Sequence, residues 1–103
     1  MNDNLLKQVK ETVLSVVADA QVLLYGSRSR KDAGPESDWD FLVLTDAVVD
    51  DDLTDAIRHQ LYEIEWETGE IISVIVRNRK DWNNPPLQDT PFHANIEAEG
   101  MSL

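Results

Sequence analysis

Apolar residues along this chain recur at two different periods, and the change of period marks out the elements. Leu6, Val9, Val13 and Val17 return every three or four positions, with Leu14 widening the stripe, while Lys7, Lys10, Glu11 and Ser15 fall on other faces. That spacing predicts an amphipathic helix over residues 3–19, with Asn2 to Asn4 offering caps. Val22-Leu23-Leu24-Tyr25 is a short continuous apolar run closed by Gly26, which predicts a buried strand over 21–25. Residues 27–37 are polar and contain Gly34-Pro35, so a loop with one helical turn is expected there.

A second strand is predicted over 38–45, apolar throughout after Asp40, as in a strand covered on both faces. Asp50-Asp51-Asp52 supplies an acidic helix start, favourable at the positive end of the helix dipole. Leu53, Ile57, Leu61 and Ile64 form the buried stripe of a second long helix, with Gly69 as its C-cap. Residues 71–76 are β-branched at five of six positions and predict a third strand. Asp81-Trp82 is expected on a short helical turn before Pro85-Pro86, and Thr90-Pro91 and Gly100 bracket a last short helix. The sum is one α/β (α+β) domain over residues 1–103, with a small mixed sheet of three or more strands and helices packed on one face.

Composition narrows the functional classes. With no cysteine, disulfides, zinc–thiolate sites and thiol nucleophiles are excluded. The start Met1-Asn2-Asp3-Asn4 lacks a basic secretion signal, and no apolar run approaches the roughly 20 residues that cross a bilayer, so a cytoplasmic protein is expected, with no membrane partner. A formal net charge of -11 opposes non-specific adhesion to nucleic acid. The nine basic residues include two local clusters, Arg28, Arg30 and Lys31, and Arg77, Arg79 and Lys80. Each is either a small anion site or solvated loop charge.

The candidate chemistry lies in Gly26-Ser27, ten intervening residues, then Asp38-Trp39-Asp40. Asp38 and Asp40 are two apart on a predicted strand, so both project from one face, about 7 Å apart at the backbone, with Trp39 pointing away. Two converging carboxylates suit Mg²⁺, which is commonly held by one or two carboxylates plus substrate phosphate oxygens and water. A glycine between strand and loop lets a phosphate approach backbone amides closely, and Ser27 adds a hydroxyl donor. Arg28 or Arg30 could reach the same phosphates with a bidentate fork, or face water instead.

This run, followed by an apolar strand, resembles the signature of the DNA polymerase beta-like nucleotidyltransferase superfamily, and the short chain resembles its minimal branch. The likeness spans about residues 22–77. It implies a nucleoside triphosphate, ATP being the expected one, bound through Gly26, Ser27, Arg28 and Arg30. It further implies Mg²⁺ or Mn²⁺ on the catalytic pair Asp38 and Asp40, and transfer of a nucleoside monophosphate to an acceptor hydroxyl with release of pyrophosphate. Members of the minimal branch often act beside a small helical partner protein, as the antitoxin half of a toxin–antitoxin pair.

Two departures from the pattern stand out. A third carboxylate is expected on the next strand, facing the aspartate pair, yet Ser73 occupies that position, with Glu70 just before the strand as the substitute. Lys31 stands where related sequences often carry glycine. Two readings therefore remain, an active nucleotidyltransferase and a catalytically weakened nucleotide- or partner-binding module. A third is an acidic interaction domain without ligand. Asp50-Asp51-Asp52 lacks the spacing of a calcium loop. His59 and His93 read as surface residues, and Trp66, Trp82 and Phe92 as packing at the core edge or against a partner. A basic partner protein or a homodimer would suit the acidic charge.

Overall fold

The computed structural model describes residues 2–31, 34 and 37–103. Helix α1 (Asp3–Val16) is capped by Asn2, whose side chain accepts from the Leu5 amide at 3.1 Å. It stops three residues short of the predicted 3–19, because Val17 turns extended and Asp19 is drawn to the end of the second strand. Strand β1 (Gln21–Tyr25) and the single-turn helix α2 (Ser27–Arg30) follow. Pro35 of the expected Gly34-Pro35 turn lies outside the described residues.

Strand β2 (Trp39–Thr45) begins one residue after Asp38. Helix α3 (Asp51–Thr68) starts at Asp50, whose carboxylate accepts from the Leu53 amide at 2.9 Å, and ends on Gly69 in the left-handed conformation at φ 73°. Strand β3 (Ile72–Asn78) runs two residues beyond the predicted span, since its pairing with β2 continues to Thr45 opposite Asn78. Asn78 then caps helix α4 (Arg79–Trp82), a 3₁₀ turn covers Leu87–Asp89, and helix α5 (Pro91–Glu99) starts from Thr90. The two-residue strand β4 (Met101–Ser102) returns to β1.

The strand order is β3-β2-β1-β4. β1 pairs antiparallel with both β2 and β4, whereas β2 and β3 are parallel, joined by α3 as the crossover. This is the mixed sheet that the strand pattern implied. Alternation along β2 separates its two faces. Trp39, Phe41 and Val43 join the core under α1 and α3, while Leu42 and Leu44 pack with Trp82 and Ile96. The long helices share one face, but the short C-terminal helices cover the other, so the expectation of helices on one face only is corrected; cover on both faces accounts for the uninterrupted apolar run in β2. Phe41 is fully buried, and its truncation to alanine would cost roughly 3–5 kcal/mol.

His93 corrects the surface reading. It is only 8% exposed, with its ring 4.4 Å from that of Trp82, because α5 lays it into the second core face. Trp82 is buried, whereas Trp66 is 81% exposed and packs no core. Among the described residues no helix is long and apolar enough to cross a membrane.

Candidate active site

The antiparallel pairing of β1 with β2 places Tyr25 opposite Asp40, so the turn that leaves β1 at Gly26 lies beside the aspartate. Gly26 adopts φ 75°, and a Cβ built there would come within 2.6 Å of Asp40 Oδ2. A side chain is therefore excluded twice, by backbone strain and by the carboxylate lying over the turn. The Gly26 carbonyl accepts from the Ser29 and Arg30 amides, both at 3.1 Å, and this closes the α2 turn with Ser27 at its start. Lys31 ends α2 in the left-handed conformation, φ 65°. Glycine would adopt that conformation more cheaply, which gives the departure at Lys31 a backbone meaning.

Asp38 is exposed just before β2 and Asp40 is half-buried within it. Burial first, and the neighbouring Asp38 carboxylate second, raise the Asp40 carboxyl above its ordinary value. The same burial, with Asp40 as second cause, raises the Tyr25 phenol. Among the described residues no hydrogen bond or ion pair reaches either carboxylate. Two like charges held together, with no ion-pair partner among the described residues, make an arrangement that a divalent cation would relieve. Among those residues no three His, Cys, Asp or Glu side chains converge as a metal site; the described residues place two carboxylates there, and a cation held by them would take further ligands from phosphate and water.

The parallel register sets Ser73 directly beside Asp40. Ser73 thus stands at the position where a third carboxylate was expected, and brings a hydroxyl to it. Glu70 is placed elsewhere. Its Oε2 accepts from the Trp39 indole Nε1–H at 3.0 Å, on the face of β2 that Asp40 does not share. Arg28 joins that group: its guanidinium lies 4.3 Å from the Trp39 ring centroid and 3.7 Å from Glu70, and it donates to the Ser37 carbonyl at 3.2 and 2.8 Å. Arg30 pairs with Glu99 at 3.1 Å, and the Ser29 hydroxyl donates to the Glu99 carbonyl, so the end of α5 holds α2.

The fold therefore brings Gly26, Ser27, Asp38, Asp40 and Ser73 to one place and directs Arg28, Arg30 and Glu70 into contacts within the protein. Sequence reasoning missed Tyr25, Ser37 and Glu99. A buried indole such as that of Trp39 does announce a need for an acceptor, but not that Glu70 supplies it. The second basic cluster does not act as a unit either. Arg79 binds Asp46 at 2.6 Å and Asp19 at 3.6 Å, whereas Arg77 is exposed on β3.

A family profile described as "Nucleotidyltransferase domain" matches residues 3–100, so the chain belongs to that family. Solved structures agree on the fold. A toxin–antitoxin complex with AMP-PNP aligns with a TM-score of 0.65 at 14% identity, over 99% of this chain and 72% of that one. A variant of the toxin–antitoxin MntA-HpeT, in which two aspartates two positions apart are changed to glutamate, aligns with 0.65 at 12% identity, over 99% and 72%. A second MntA-HpeT variant, with a tyrosine changed to alanine, aligns with 0.63 at 15% identity, over 100% and 72%. No curated protein matches the sequence.

Proposed function

We propose that this chain binds a nucleoside triphosphate, with ATP as the first candidate, together with Mg²⁺ or Mn²⁺, and transfers the nucleoside monophosphate to an acceptor hydroxyl on a partner protein. The observation that carries this reading is the Asp40 carboxylate lying over the Gly26 turn while coupled electrostatically to Asp38. Asp38 and Asp40 would hold the cation, and Ser27 would donate its hydroxyl to a phosphate oxygen beside it. Gly26 keeps the turn bare, so that the phosphate can approach the backbone. A bound cation would supply charge neutralisation at the phosphates and pyrophosphate leaving group. At the α-phosphorus the bond to the acceptor oxygen forms and the bond to pyrophosphate breaks. With Ser73 beside Asp40 in place of a carboxylate, the hydroxyl proton would pass to water.

The AMP-PNP complex among the similar folds supports the choice of nucleotide, and the toxin–antitoxin assemblies support a protein partner. A pool of ATP and magnesium would be met in the cytoplasm. One observation favours the weakened-module reading instead: Ser73, in register with Asp40, offers neither a metal carboxylate nor a base at neutral pH. Incubation with Mg²⁺, ATP labelled at the α-phosphate and candidate partner proteins separates the two. Label on a partner that disappears with Asp38→Asn supports transfer. Tight ATP binding with no label moved supports the module. Calorimetric silence toward every nucleotide, with Mg²⁺ or Mn²⁺ present, contradicts both.

A further inference from the structure

The contacts around Trp39 give Glu70 a different task from the one its position before β3 suggests. Trp39 is 3% exposed, and Glu70 accepts its indole N–H at 3.0 Å. Arg28 closes the group from outside, stacked on the same ring and bonded through Nε and Nη2 to the carbonyl of Ser37, the residue before Asp38. The Trp39 amide donates to the Ile71 carbonyl at 2.9 Å, so the backbone on both sides of Asp38 is fixed. The side chains of Trp39 and Asp40 leave opposite faces of β2, and the clamp therefore grips the strand end from the face the aspartate pair does not use.

We propose that Glu70 is a positioning residue rather than the third metal ligand: with Trp39 and Arg28 it clamps the Ser37–Asp40 segment, so that Asp38 is held in register with Asp40 over the Gly26 turn. The proposal deepens the nucleotidyl-transfer reading and rests on it for what the positioned pair binds. By the same geometry Arg28 serves the clamp and not the phosphates. Groups that orient metal-binding side chains from behind govern how well those bind, although they touch no ligand themselves.

The test compares Glu70→Gln with Glu70→Ala. Glutamine still offers an oxygen to the indole N–H, whereas alanine offers nothing. Mn²⁺ affinity measured with a non-hydrolysable ATP analogue should fall about tenfold in E70A, recover to within about threefold of the parent in E70Q, and fall more than about a hundredfold in D38N. Amide exchange at Trp39, followed without metal, should accelerate in E70A and stay near the parent rate in E70Q. If E70Q loses Mn²⁺ as severely as E70A, Glu70 is a ligand and the proposal fails. If E70A lowers the melting temperature yet changes neither Mn²⁺ affinity nor Trp39 exchange, the contact is merely structural and the proposal fails again. If the parent protein binds no Mn²⁺ at all, the functional reading is lost, and the exchange comparison alone decides whether the clamp exists.

Discussion

Strand β2 has aspartates at both ends, and the two ends treat them in opposite ways. At the C-terminal end Asp19 accepts from the Thr45 hydroxyl at 2.6 Å and the Asp46 amide at 2.8 Å, with Arg79 bridging Asp19 and Asp46. Those partners, led by the Thr45 hydrogen bond, lower the Asp19 carboxyl below its ordinary value. At the N-terminal end Asp40 is shifted upward by burial and by Asp38, and its nearest constraint is a glycine that leaves it room. Carboxylates whose charge is met inside the protein serve the fold. The aspartate pair, which no hydrogen bond or ion pair reaches among the described residues, is where the cation is proposed to bind. The contrast would not show in a count of acidic residues.

Exchanging charge for shape at one end and then the other should break this contrast most plainly. Asp40→Asn should abolish metal-dependent nucleotide binding and transfer, by more than about a hundredfold, since losing a ligand costs at least as much as losing a group that only orients one. It should also raise the melting temperature in metal-free buffer, because the ionised Asp40 opposes folding at neutral pH. Its folded-state pKa lies above the unfolded value, so stability falls as pH rises through that interval, and asparagine removes the cost. Arg79→Ala should do the reverse. Loss of its contacts to Asp46, Asp19 and the Leu44 carbonyl should cost roughly 1–2 kcal/mol, several degrees in melting temperature, with nucleotide affinity unchanged.

The pH dependence sharpens the same comparison. Asp19 has a depressed folded-state pKa, so its contribution to stability is complete above the unfolded carboxylate value near 3.8 and is lost as pH falls through the lower folded value. Thr45→Val removes the largest cause and should flatten that part of an acid-melting profile, read by circular dichroism. The smallest effect is expected at Lys31. Lys31→Gly relieves a left-handed backbone at φ 65° and should leave stability unchanged or raise it by about 0.5–1 kcal/mol, measured by chemical denaturation.

Much of this was legible in the sequence because it is local. Helical spacing set α3, and Asp50 and Gly69 cap it where they were expected to. The Gly26-Ser27 to Asp40 spacing corresponds to strands that turn out to be antiparallel neighbours, and the serine in β3 falls beside Asp40 as its place in the strand implied. What was not legible depends on partners distant in the chain. The early end of α1 follows from Asp19 binding Thr45, 26 residues away. Burial of His93 follows from Trp82 lying on the same sheet face. Glu70 and Arg28 show the limit best. Both carry the charge a nucleotide site could use, and only the fold reveals that they grip Trp39 and Ser37.

The most direct test is a calorimetric titration of Mn²⁺ in the presence of a non-hydrolysable ATP analogue, run on the parent protein, Asp40→Asn and Arg79→Ala. Binding is expected to the parent, equally to Arg79→Ala at a temperature where it remains folded, and not at all to Asp40→Asn although that variant melts higher. Equal binding to Asp40→Asn and the parent would mean that Asp40 holds no cation.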